Sequence, residues 1–133
     1  MSNTEGLITG VDFVVVPTDD FANAVDSYGE VLKLACIDRY RGVPGAEFQA
    51  GNLTIAVMES KALGREFRAN TMPIALQVAD VDAARANLEA VGVSFLADTF
   101  DSGVCRQAIF ADPDGNPLAL HHRYAPPKPK PTE

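Results

Sequence analysis

Few side chains in this sequence are suited to acid–base or ligand chemistry, and they are scattered. Histidine occurs only as the adjacent pair His121 and His122, and cysteine only at Cys36 and Cys105. An imidazole titrates near neutrality and can act as acid, base or hydrogen-bond donor. In PLALHHR the side chains alternate along a strand, which puts His121 on the face of Ala119 and His122 on the other. His121 is the candidate acid or base. Arg106, in VCRQAIF, offers a guanidinium to a ligand anion, although a strand arginine is often paired with Asp or Glu. The two cysteines lack CxxC or Cys/His spacing and read as buried free thiols. No GxSxG, P-loop or GxGxxG string occurs.

These residues sit in a chain of 133 residues, of which 47% are hydrophobic and 22% charged, enough apolar content for a packed domain. The formal net charge of −7 argues against nucleic acid as a partner, because phosphate backbones are bound by clustered Lys and Arg. Acidity of that kind favours solubility and would attract a cationic small molecule if carboxylates lined a cleft. No apolar run reaches membrane-spanning length, and the start MSNTEGL lacks the basic and apolar parts of a signal peptide, so no membrane partner and a cytoplasmic location are expected.

The elements that must position the candidates can be read from periodicity. LITGVDFVVV, from Leu7 to Val16, is a β-branched strand ending at Pro17. Thr18, Asp19 and Asp20 supply N-cap chemistry for a helix from about Asp20 to Leu32, on which Phe21, Ala24, Val25, Tyr28, Val31 and Leu32 recur at helical spacing. Then come LACIDRY, AEFQA and LTIAVME, separated by RGVPG and by Gly51-Asn52, which read as an antiparallel meander.

The order then repeats. PIALQV is a strand, Asp80 caps a helix with Val81, Ala84, Leu88 and Val91, and Gly92 stops it. VSFLA, VCRQAIFA and PLALHHR follow, with DPDGN as the last turn. Asp20 and Asp80 lie 60 positions apart, which superposes Phe13 on Pro73, and Gly51-Asn52 and Gly115-Asn116 lie 64 apart. The fold class is therefore α+β: two βαβββ modules, 7–59 and 72–123, joined by a polar linker 60–71 and followed by a Pro-rich disordered tail 124–133. One such sheet alone has too little core, so the modules must bury their sheets against each other or a second chain.

Taken in order, GVDFVVVPTDDFANAVDSYGEVLKL, IALQVADVDAARANLEAVGV and FADPDGNPLAL resemble the vicinal oxygen chelate superfamily of glyoxalases, bleomycin-resistance proteins and extradiol dioxygenases. The resemblance implies curved sheets around a cup-shaped site, often completed by a homodimer. It also implies a divalent metal held by one residue on the first and one on the fourth strand of each module. In this chain those places fall on Phe13, Pro73, Ala119 and Ala56, with Ile55 as the alternative register for the last. None can donate a lone pair, so neither metal nor other cofactor is expected. Phe13, Met58 and Pro73 would make an apolar floor, and the expected ligand-binding set is Phe13, Ala56, Met58, Pro73, Arg106, Ala119 and His121. The favoured expectation is a metal-independent protein that sequesters a hydrophobic or cationic small molecule. The competing expectations are an isomerase, lyase or hydrolase using His121, and a non-catalytic scaffold.

Overall fold

The computed structural model describes residues 6–129. The first strand, β1 (Val14–Thr18), leads through Asp20 into α1 (Phe21–Asp26), which continues as a wider π turn over Ser27–Val31. The Asp20 carboxylate accepts the Asn23 N–H at 3.2 Å, which starts the helix as its N-cap. Three strands follow, β2 (Ala35–Arg39), β3 (Gly45–Ala50) and β4 (Leu53–Glu59). The second module repeats the plan with β5 (Ile74–Gln77), α2 (Val81–Ala90), β6 (Phe100–Asp101), β7 (Cys105–Ala111) and β8 (Pro117–Arg123). Asp80 caps α2 by accepting the Ala83 N–H at 3.0 Å.

The strands form two four-stranded sheets, ordered β1-β4-β3-β2 and β5-β8-β7-β6. In each, the first strand runs parallel to the fourth and the other pairs are antiparallel. β1 is an edge strand, and this is why Pro17 is tolerated inside it. Alternation divides each sheet into two faces. One face carries Val16, Ala46, Phe48, Ile55 and Val57 in the first module and Ala108, Phe110, Leu118 and Leu120 in the second, and these join Ala24, Tyr28 and Val81 of the helices in one core. The opposite faces carry Val15, Glu47, Ala56 and Met58, and Gln77, Gln107, Ala119 and His121.

A polar clamp ties the modules together. Asn116, 1% exposed, donates from its side-chain amide to the Pro17 carbonyl at 2.8 Å and to Asp112 at 2.9 Å. Asp112 also accepts the Tyr28 hydroxyl, and Asp114 accepts the Thr18 hydroxyl at 2.6 Å. The DPDGN turn thus closes its own hairpin and also anchors β1 and the π turn after α1 of the other module.

Two expected strands differ. Leu7–Phe13 precede β1 instead of forming part of it; Val14 lies opposite Ile55 in parallel register and β4 begins at Leu53, so Leu7–Val11 overrun the strand they would pair with. In VSFLA only Phe95 makes a bridge, to Phe110, and the edge strand is displaced to Phe100–Asp101. Arg85 holds this segment to α2: its guanidinium lies 4.5 Å from the Phe95 ring centre and donates to the Ala97 carbonyl and the Thr99 hydroxyl, while the Leu96 N–H still donates to the Ile109 carbonyl of β7 at 2.8 Å. The tail begins attached, since the Tyr124 and Ala125 N–H groups both donate to the Val104 carbonyl at 3.1 Å, and its last residues lie outside the described region. No helix among the described residues is long and apolar enough to cross a membrane.

Candidate functional site

The helix-free sheet faces are the candidate site. Their centres are small: Ala56 and Ala119 are 0% and 1% exposed, each flanked by neighbours on its own face. Val15 and Glu47 stand opposite Ala56, and Ala75 and Ile109 stand opposite Ala119. The matching register makes Ala56 and Ala119 counterparts in the two modules. Two residues further along the strands, Met58 and His121 are counterparts by the same rule, facing Pro17 and Gln77. Ile55 is in the core behind the sheet, which places Ala56 on the cup face and removes the alternative register.

Around these centres the surface is apolar and open. Phe13 is 46% exposed, Val15 44% and Phe100 57%, and Met58, Pro73 and Ile109 are half-buried. Exposed apolar side chains grouped on one face mark an interaction surface more than scattered ones do.

The polar groups on these faces are specific. His121 is half-buried in a cross-strand row between Gln77 and Gln107, with Phe100 beyond. Its ring has no hydrogen-bond partner among the described residues, whereas His122 on the other face has its Nδ1 3.1 Å from the Val78 carbonyl oxygen. In module one, Glu47 accepts the Tyr40 hydroxyl at 2.5 Å. That hydrogen bond, with burial and the carboxylate charge, pushes the Tyr40 pKa up to about 12. The ring can reach Glu47 because Gly45 leaves room: a Cβ there would collide with Tyr40 and with the Met58 sulfur at 2.8 Å.

The strand register puts four of the seven expected site residues, Ala56, Met58, Ala119 and His121, on the helix-free faces; Phe13 and Pro73 each stand one residue before a strand, and Arg106 lies elsewhere. Phe13, Ala56 and Met58 belong to module one, and Pro73, Ala119 and His121 to module two. Arg106 faces the helices. Its guanidinium donates to Asp82 on α2 at 2.8 Å and lies 3.6 Å from Asp101, and these carboxylates raise its pKa further. The alternation showed this in advance, since Arg106 shares parity with the core residues Ala108 and Phe110. The cysteines also differ from expectation: Cys36 is exposed and Cys105 half-buried. Tyr40 and Gly45, which the sequence does not single out as site residues, lie beside Glu47 and Met58.

Residues 10–120 match the family described as the Glyoxalase/Bleomycin resistance protein/Dioxygenase superfamily. The chain belongs to this superfamily. No curated protein matches its sequence. Solved structures do resemble it. A superfamily member from Sphaerobacter thermophilus DSM 20745 has a TM-score of 0.77 at 21% identity, covering 88% of this chain and 99% of that one. TnmS3, an antibiotic binding protein from Streptomyces sp. CB03234, has a TM-score of 0.75 at 24% identity, covering 90% and 99%. Lactoylglutathione lyase from Agrobacterium tumefaciens has 0.69 at 15%, covering 86% and 94%. At these identities the likeness carries the fold.

The superfamily's usual metal positions do not fit a metal in this chain. Phe13, Ala56, Pro73 and Ala119 have hydrocarbon side chains with no lone pair to offer a divalent cation. Among the described residues no group of three or more His, Cys, Asp or Glu could hold one. The side chains on the cup faces can instead supply apolar contact, one imidazole, the amides of Gln49, Gln77 and Gln107, and the Glu47 carboxylate with its tyrosine.

Proposed function

We propose that the protein binds a small hydrophobic or cationic molecule on its cup faces without a metal, with a second copy of the chain completing the site. The observation that carries this reading is the pair Ala56 and Ala119. At the centre of each cup face stands a buried methyl group, and Val15 and Met58 near Ala56 and Ile109 beside Ala119 present the apolar surface that a ligand would meet. Binding pockets for small molecules are mostly apolar with a few placed polar groups, and Glu47, Gln107 and His121 fill that part. Glu47 would attract a ligand cation in a chain of net charge −7. The likeness in fold to an antibiotic binding protein is in keeping with a small-molecule ligand.

The second copy is supported by the exposed apolar segment before β1. Leu7 is 99% exposed, Ile8 83% and Val11 74%. Burying such residues is favourable by about 25 cal/mol per Å² of apolar surface, and a partner chain offers the surface this chain does not. The test is an NMR titration with a cationic aromatic antibiotic. Saturable shifts at Val15, Met58, Ile109 and His121 are expected, and shifts confined to the helices would overturn the reading.

A second reading rests on the ring of His121, which is half-buried on the cup face with no hydrogen-bond partner among the described residues. It makes the protein an isomerase, lyase or hydrolase. His121→Ala would then abolish turnover with the fold intact, and retained turnover would remove this reading.

A further inference from the structure

We infer that the linker between the modules forms an oxyanion-binding cleft in which Arg65 and Arg68 hold a carboxylate or phosphate group of a small molecule. The cleft has a volume of about 530 Å³ and is lined by Pro17, Ser60, Gly64, Arg65, Glu66 and Arg68. It is built by a short turn. The Ser60 carbonyl accepts the Leu63 and Arg65 N–H groups, both at 3.0 Å, and Gly64 takes a left-handed φ of 72° that sends the chain back past Ser60. Pro17 forms one wall from the cup face of β1, so the cleft lies at the end of that face.

The electrostatics of this spot run against the rest of the molecule. The chain carries 18 acidic residues against 11 basic ones, and most of its arginines are engaged. Arg85 pairs with Glu89, Arg106 with Asp82 and Asp101, Arg39 lies over the Phe21 ring and Arg123 donates to the Pro126 carbonyl. Lys61, beside the cleft in sequence, is 3.7 Å from Asp19. Among the described residues neither Arg65 nor Arg68 has a salt bridge or a side-chain hydrogen bond. Two guanidinium groups and one carboxylate, Glu66, therefore leave the lining with one uncompensated positive charge. A planar guanidinium presents paired donors that match a carboxylate or phosphate edge, and two of them in the lining of one open cleft suit a singly charged oxyanion.

The test is an amide NMR titration of the full chain with inorganic phosphate and, separately, acetate, each at constant ionic strength so that screening does not change. Saturable shifts over residues 60–68 are expected for at least one anion, weakened at least tenfold by the double variant Arg65→Gln, Arg68→Gln. Arg41→Gln, which removes an exposed arginine that lines no cleft, should leave the affinity unchanged. Shifts that rise without saturating for both anions, or that survive in the double variant, would overturn the inference. Neither probe needs the cup ligand, so the outcome is separate from that of the proposed function.

Discussion

Tyr28 donates its hydroxyl hydrogen to Asp112 at 2.8 Å, joining the first module's helical segment to the last turn of the second module across 84 positions of sequence. Tyr28 is 0% exposed, and the same carboxylate accepts the Asp114 and Asn116 N–H groups and the Asn116 amide. Tyr28→Phe keeps the ring and removes only the donor, leaving Asp112 buried with one fewer partner. A loss of about 1–3 kcal/mol is expected, read as a lower urea midpoint with an unchanged slope.

The same hydroxyl gives the protein an alkaline limit. Burial first, then the charge of Asp112, hold the Tyr28 pKa far above that of an unfolded tyrosine, about 10. A group whose pKa is raised by folding contributes stability below its unfolded pKa and loses it as pH rises further. Unfolding free energy should therefore decline above about pH 10, and less steeply in Tyr28→Phe. A decline equally steep in the variant would assign the limit to other groups.

Tyr40 reports on the geometry of the cup face. With its hydroxyl on Glu47, it should ionise at about 12 in an ultraviolet absorbance titration. Glu47→Ala removes the principal cause and should bring that value back toward 10. Gly45→Ala should do the same by displacing the ring, at a cost of about 1–3 kcal/mol in stability. A Tyr40 titration unmoved by both changes would mean that the ring does not rest over Gly45.

The apolar segment before β1 predicts self-association. Sedimentation should show a dimer, and the triple change Leu7→Ser, Ile8→Ser, Val11→Ser should shift the equilibrium strongly toward monomer without unfolding the chain, since all three side chains are exposed within it.

Much of the frame was legible in the sequence because it is periodic. Asp20 and Asp80 cap their helices as their spacing implies, whereas the 64-residue spacing of the Gly-Asn turns superposes Ile55 on Ala119 and only the strand register makes Ala56 its counterpart. The clamp was not legible, because Asn116 meets Pro17 across 99 positions and the DPDGN string reads fully as a local turn. Arg106 was readable but misassigned: chemical type suggested a ligand contact, while its parity with Ala108 and Phe110 pointed behind the sheet. The cleft at the linker is not legible, because the sequence shows 60–71 only as a polar stretch and the fold places Pro17 and Ser60 beside Arg65 and Arg68. The cup's apolar centre, by contrast, follows from residue identity alone.

Metal-independent binding is tested most directly by thermal melting in a chelating buffer, with a panel of cationic and aromatic antibiotics and, separately, divalent metals. A ligand at 100 times its Kd adds about 2.7 kcal/mol, which for a domain of this size raises Tm by on the order of 10 °C. A rise of that order with at least one antibiotic, undiminished by chelation, and no rise with any metal is the predicted result. Stabilisation by metals alone would contradict the account.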